Sequence, residues 1–213
     1  MQEFLTPEKG LIFRIVHRDN VAWILDNGLH CVNSRVLFQN YVAIGNQDLI
    51  DKRKTRRVPL APGGDLSDYV PFYFTPHSPM LLNIKTGYNN VKQRTNEEIV
   101  VIVSSLHTLV KQGIPFLFTD RHAYLEAATF ASNLADLAQI DWHILNARDF
   151  KRNPDDPGKF ERYQAEALVH KHVPVSAILG LGCYTDGVSA RMESLTSARG
   201  LALRAVTRPG WYF

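Results

Sequence analysis

Cysteine is scarce in this chain: Cys31 and Cys183 are the only two in 213 residues, and they do not form a CxxC pair. Two thiols cannot build the disulfide framework of a small secreted fold, so reduced, partly buried side chains are expected. No apolar run approaches the roughly 18 residues that a membrane-spanning helix needs. The start, MQEFLTPEKG, lacks the basic residues and apolar stretch of a secretory signal, and a cytoplasmic location is expected. No HExxH is present, and His170 and His172 form an HxH pair that only Cys183 or His107 could in principle join, nothing else having metal-ligand spacing. That pair reads as satisfied or solvent-facing histidines on one strand face, and no metal is expected. Walker A and GxSxG sequences are missing too, and the GLG at residues 180–182 is a lone GxG without a third glycine or a surrounding βαβ unit. Those glycines are expected to permit a bend or a close backbone approach.

What is present is ordinary for a globular protein: 45% hydrophobic and 21% charged residues. The length suits one compact domain spanning residues 1–213. A net charge of +3 permits a polyanionic partner without requiring one, and the densest basic cluster is KRKTRR at residues 52–57.

Apolar patterning predicts strands at LIFRIV (11–16), VPFYFT (70–75), EEIVVIVSS (97–105), PFLFT (115–119), the EALVH run and SAILGLGCY (176–184), with terminal strands around LALRAV and GWYF. Short helices are predicted at RDNVAWILDNGL with Gly28 as its C-cap, NQDLIDKRKTR, SPMLLNIKTG, LHTLVKQG and DGVSARMESLTSARG. DRHAYLEAATFASNLADLAQI (120–140) has the spacing of a longer helix with Asp120 as N-cap. Residues 146–162, rich in charge, proline and glycine, are expected to form a mobile loop. Many short strands mingled with short helices, without regular alternation, indicate an α+β fold.

Three features stand out chemically. His17 and Asn20 follow the first strand, where side chains commonly line a cleft. Arg53 lies in a basic helix ahead of an aromatic strand and a loop holding Met80. Glu166 opens an apolar strand after a charged loop. Each has a plain structural reading: a helix cap, a solvated basic face and, by the period of two, the solvent-facing residue of a half-buried strand.

Taken in order, RIVHRDNV, IGNQDLIDKR, VPFYFTPHSPML, FTDRHA, RYQAEALV and the terminal WYF resemble the DarT toxins, sequence-specific DNA ADP-ribosyltransferases encoded beside a macrodomain antitoxin. The likeness runs from about residue 11 to residue 213. It implies transfer of ADP-ribose from NAD+ to a base in single-stranded DNA, with thymidine favoured and guanosine the alternative. It also implies the compact ADP-ribosyltransferase-like fold, two packed mixed or antiparallel sheets with short peripheral helices. The family's catalytic glutamate maps onto Glu166 and its catalytic arginine onto Arg53, with Arg56 and Arg57 close enough for a register shift. His17, Asn20, Arg53, Tyr73 and Met80 map onto NAD+-binding positions, and His122 onto a histidine at the DNA end of the site. Lys54, Arg56, Arg57, Arg121 and Arg152 are the cations available to follow a phosphate backbone. Gln164, two residues before Glu166, occupies the place where protein-modifying ADP-ribosyltransferases often carry Gln or Glu. An RNA or protein acceptor, or a noncatalytic nucleic-acid-binding module built on KRKTRR, is the alternative.

Overall fold

The computed structural model describes residues 4–36 and 38–213; residues 1–3, which begin the segment read for a secretory signal, and Leu37 lie outside the described residues. The strands are β1 (Leu11–His17), β2 (Leu29–His30), β3 (Tyr69–Tyr73), β4 (Ile99–Ser105), β5 (Phe116–Thr119), β6 (Phe130–Ala131), β7 (Glu166–His170), β8 (His172–Val173), β9 (Gly180–Cys183) and β10 (Ala205–Thr207). The helices are α1 (Val21–Asn27), α2 (Gln47–Arg53), α3 (Pro79–Thr86), α4 (Leu106–Lys111), α5 (Trp142–Ala147), α6 (Lys159–Arg162) and α7 (Asp186–Ser197). The fold is α+β, as expected. Among the described residues, no helix is long and apolar enough to cross a membrane.

Eight strands form one mixed sheet in the order β10-β9-β4-β1-β3-β7-β5-β6, and β2 pairs with β8 apart from it. Only β9 and β10 run parallel. β1 is paired with β4 along its whole length, from Leu11↔Ser105 to His17↔Ile99, but with β3 at the single pair Phe13↔Tyr73. The sheet is therefore two halves joined at one point, and β1 and β3 fork on leaving it. The functional site lies in this fork.

The continuous apolar run of β4 reflects burial on both faces, its residues being almost entirely inaccessible. β7 is buried on both faces as well. Ala167 and Val169 enter the main core, while Leu168 joins a smaller cluster with Val58, Leu66, Tyr69, Leu117 and Ala123. Glu166 shares the face of Leu168 by alternation, so that face is covered by other segments rather than by water. α3 shows how local signals set an element: Ser78 Oγ accepts the Leu81 N–H at 3.2 Å, Pro79 opens the helix, and Gly87 closes it at φ +74°.

Five expectations are corrected. Residues 120–140 do not form a helix; they hold turns, β6 and a 3-10 segment at Leu134–Gln139. Asp120 is no N-cap: its Oδ2 takes Arg121 Nε and Nη2 at 3.0 and 2.8 Å, and its Oδ1 accepts the Thr129 N–H at 2.9 Å, closing a loop. The 146–162 segment includes α6 and is tied down by Lys159–Asp149 at 2.8 Å and by Arg162 on both Asp141 and Asp156. GWYF is not a strand, since Pro209–Trp211 is a 3-10 turn. Finally, His170 and His172 do not share a strand face, because Lys171 at φ +61° separates β7 from β8. His170 packs against Tyr69, and His172 Nε2 lies 3.0 Å from the Asn27 carbonyl.

The close approach expected of the GLG glycines is found at Gly182, where a Cβ would stand 2.4 and 2.6 Å from ring atoms of Trp211. Gly182→Ala is accordingly expected to destabilise the fold by about 1–3 kcal/mol in urea unfolding, and Trp211→Leu in the same chain to recover part of that loss. A Gly182→Ala protein of unchanged stability would contradict the packing.

Candidate active site

The fork opens into a cavity of about 390 Å³ lined by Arg14 and Ile15 of β1, Pro71 to Tyr73 of β3, Arg53, Met80, His122, Glu166 and much of the segment from Val32 to Ile50. That volume is in the range of small-ligand sites. Most of the wall is apolar, and Arg53, His122 and Glu166 supply charged and polar groups where β3 meets β7.

Three segments distant in sequence meet there. α2 begins at Asn46, whose Oδ1 accepts the Leu49 N–H at 2.9 Å, and ends at Arg53. Arg53 is 9% exposed and donates from Nη1 to Glu166 Oε2 at 2.9 Å. Glu166 itself is 3% exposed, which rules out the solvent-facing reading of that residue. Its Oε1 accepts the Ala123 N–H at 3.2 Å and lies 3.2 Å from His122 Nδ1. The same Nδ1 is also 3.2 Å from the Tyr124 N–H, and one ring nitrogen cannot both accept there and donate to Glu166. The bond whose geometry is met is the one from Tyr124 N–H, so Nδ1 is the acceptor, the neutral ring carries its proton on Nε2, and His122 stands beside Glu166 without a hydrogen bond to it.

The charges are tuned by this packing. Burial alone would raise the Glu166 carboxyl, but the Arg53 charge, His122 and the bonds from Arg53 and Ala123 hold it below the usual carboxylate value. Burial pushes His122 below the usual imidazole value against the pull of Glu166, which leaves a neutral ring. Tyr73 pairs with Glu166 across β3 and β7, and burial together with that carboxylate raises its phenol, which stays protonated. The site thus presents one buried carboxylate, ionised at neutral pH, beside a guanidinium, a neutral imidazole and a phenol.

Comparison with known proteins bears on this arrangement. The family model described as "ssDNA thymidine ADP-ribosyltransferase, DarT" matches residues 13–213. The chain belongs to the DarT family. A DNA ADP-ribosyl transferase of Escherichia coli O127:H6 (strain E2348/69 / EPEC) is 54% identical over 209 residues, covering 98% of this chain and 96% of the relative. Among solved structures, Thermus sp. 2.9 DarT in complex with ADP-ribosylated ssDNA superposes with a TM-score of 0.89 at 34% identity and full coverage of both chains. The same protein in complex with NAD+ gives a TM-score of 0.82 at 35% identity, covering 97% of this chain and 99% of that one.

The DarT resemblance named more residues than the cavity gathers. Arg53, Tyr73, Met80, His122 and Glu166 line it together. Of the three arginines open to a register shift, Arg53 is the one bonded to Glu166; Arg56 Nη2 donates instead to the Leu125 carbonyl at 3.0 Å, and Arg57 is exposed. His17 and Asn20 stand outside the lining. His17 Nδ1 accepts the Asp19 N–H, and its Nε2 lies 3.5 Å from Glu98. Asn20 is fully buried and grips Val42 by both its N–H and its carbonyl, each at 2.9 Å, which fixes the loop carrying the cavity residues Tyr41, Ala43 and Ile44. Lys54 pairs with Asp51, Arg121 with Asp120, and Arg152 stands over the Phe160 ring at 5.0 Å. Among the described residues no group of three or more His, Cys, Asp or Glu side chains is placed to hold a metal ion. Arg14 was missed by sequence reasoning, although it is the one charged residue inside the apolar LIFRIV strand.

The Glu166–Arg53 pairing has a measurable sign. In the native chain the folded Glu166 carboxyl lies below its unfolded value of about 4.3, so its contribution is present above that pH and lost as pH falls. In Arg53→Gln burial dominates and the folded value rises above the unfolded one; the contribution is then full at low pH and lost as pH rises. The stability deficit of Arg53→Gln relative to wild type, read by denaturant unfolding from pH 4 to 7, is expected to grow with pH. A deficit independent of pH would contradict the pairing.

Proposed function

We propose that the protein transfers ADP-ribose from NAD+ to a base of single-stranded DNA and releases nicotinamide, acting as a single ADP-ribosyltransferase domain. Thymidine is the favoured base and guanosine the alternative, the first being supported by the description of the family model. The observation that carries the reading is Glu166, buried yet held ionised by Arg53 in the wall of a ligand-sized cavity. The substrates are taken from the Thermus relatives, whose structures contain NAD+ and ADP-ribosylated ssDNA. A cytoplasmic site of action and a macrodomain antitoxin as partner follow from family membership.

In this reaction the bond between the nicotinamide nitrogen and the ribose carbon breaks, and its electron pair leaves with nicotinamide. Positive charge develops on the sugar, and the Glu166 carboxylate, itself withdrawn from solvent, stabilises it. The attacking ring nitrogen of the base must lose its proton, for which Glu166 is the general base. Arg53 has a second guanidinium nitrogen, Nη2, that is buried without a partner and can donate to the deprotonated base. The Ala123 N–H orients the carboxylate by holding Oε1, His122 lines the site beside it at the DNA end, and Tyr73 and Met80 wall the nicotinamide. Asn20 and His17 support the site through the loop and turn that they fix.

A base paired in a duplex shields the attacking nitrogen, which favours single strands. The exposed cations Lys54, Arg57 and Arg152 can follow phosphates in a salt-sensitive way, Lys54 and Arg152 by exchanging their surface contacts with Asp51 and Phe160. Arg56 and Arg121 instead brace the 120–129 loop that presents His122. A protein acceptor is the alternative that Gln164 keeps open: one of its Nε2 hydrogens goes to the Phe160 carbonyl at 3.1 Å, and the rest of the amide has its donor and acceptor capacity.

The test incubates wild type and Glu166→Gln with NAD+ and single-stranded DNA pools that each lack one base, with RNA and protein acceptors in parallel. Mass spectrometry is expected to find an ADP-ribose increment in every DNA pool except the one without thymidine, reduced roughly 10²–10⁴-fold by Glu166→Gln. Label on RNA or protein alone would replace the acceptor. Absence of NAD+ consumption would leave only a nucleic-acid-binding module.

A further inference from the structure

We propose that Arg56 is a positioning residue for ADP-ribose transfer, holding the 120–129 loop so that the Ala123 N–H stays on Glu166; the assignment rests on Glu166 being the carboxylate that acts on the sugar. The two oxygens of that carboxylate have separate donors. Arg53 Nη1 reaches Oε2 directly at 2.9 Å. The Ala123 N–H reaches Oε1 at 3.2 Å, and its place depends on a loop far from Arg53 in the sequence.

Arg56 joins the two. It lies three residues beyond Arg53, past a turn in which the Thr55 N–H donates to the Lys52 carbonyl at 3.4 Å, and its Nη2 donates to the Leu125 carbonyl at 3.0 Å. The Leu125 N–H closes a tight turn on the His122 carbonyl at 3.0 Å, so a hold on Leu125 is a hold on the two central residues of that turn, Ala123 and Tyr124. The same Leu125 carbonyl accepts the Ala128 N–H at 3.1 Å, which ties the far half of the loop to the same point. Residues 53–56 therefore govern both oxygens of Glu166, one by contact and the other through the loop.

The anchor is itself fixed. The Arg56 carbonyl accepts the Leu66 N–H and the Val58 N–H donates to the Gly64 carbonyl, each at 3.0 Å. Val58 shares one buried cluster with Leu66, Leu168 and Ala123, so the segment and the loop it holds pack on the same face of β7. Arg56 Nε is buried without a hydrogen-bond partner among the described residues, which withholds that edge of the guanidinium from a phosphate. Arg57, the next residue, is exposed. Adjacent arginines thus differ in kind: Arg57 can meet a polyanion, whereas Arg56 is committed to the loop.

Three readouts test this in wild type, Arg56→Gln, Arg56→Lys and Arg57→Gln, each first shown to unfold cooperatively. The Ala123 N–H is one of the groups that lower the Glu166 carboxyl. In carbon-13 titration the Glu166 midpoint is therefore expected to move up in Arg56→Gln, to return partway in Arg56→Lys and to stay at the wild-type value in Arg57→Gln. Transfer to single-stranded DNA by Arg56→Gln is expected to lose roughly 2- to 10-fold in kcat with an unchanged KM for NAD+, the rate equivalent of one hydrogen bond of about 0.5–1.5 kcal/mol. The salt dependence of DNA binding is expected to keep its slope in Arg56→Gln and to lose about one unit in Arg57→Gln. An unmoved Glu166 midpoint in Arg56→Gln overturns the proposal, leaving a strut that serves stability alone or, where the salt slope also falls by about one, a phosphate contact. A wild-type protein that transfers no ADP-ribose refutes the substrate reading instead, and the titration, which needs no substrate, still decides whether Arg56 holds the loop on Glu166.

Discussion

A carboxylate that is 3% exposed stays ionised only if charge and hydrogen bonds replace the water it has lost, and at Glu166 that replacement comes from Arg53 and the Ala123 N–H. The surrounding structure is arranged to deliver those partners. α2 must end at residue 53, which its Asn46 cap and the following turn secure. The 120–129 loop must present Ala123 and His122, and it is closed by Asp120 on Thr129 and held by Arg56 on Leu125. β7 must begin at Glu166, whose backbone N–H donates to Thr119 Oγ1 at 3.4 Å. Removing one partner of such a buried pair is strongly destabilising because the other charge is left alone.

The fork in the sheet gives this pair its setting. Had β1 and β3 paired along their lengths, as β1 and β4 do, no cavity would exist between them. One residue pair keeps the halves together, and the divergence past it opens the β3 edge and the Arg14 side chain to the cavity. The basic KRKTRR stretch is correspondingly less uniform than its composition suggests. Arg53 serves the carboxylate, Lys54 pairs with Asp51, Arg56 braces a loop, and Arg57 is exposed.

Much of the fold was legible because its strongest elements obey local rules. EEIVVIVSS reads as a buried strand because both of its faces are buried, and SPMLLNIKTG reads as a helix because its serine, proline and glycine occupy cap positions. The 120–140 segment misled because its alanine and leucine spacing is helical while its hydrogen bonds are tertiary, a competition that periodicity cannot see. The burial of Glu166 was hidden for a related reason. Alternation assigns it to the face opposite Ala167, but whether that face meets water depends on Val58, Leu66 and Ala123, which arrive from far away in the chain. The order of family motifs, rather than the strand pattern, pointed to Glu166. Arg14 lay in plain view as a charge in an apolar strand, yet nothing local distinguishes a cavity-facing arginine from an edge one.

The central claim is that Glu166 is a buried carboxylate kept ionised by Arg53. Titration of the Glu166 side-chain carboxyl by carbon-13 NMR in the unliganded protein tests it most directly. The account predicts a midpoint below the ordinary glutamate value of about 4.3, moving upward in Arg53→Gln. A wild-type midpoint at or above that of an ordinary glutamate, or one indifferent to Arg53, would contradict it.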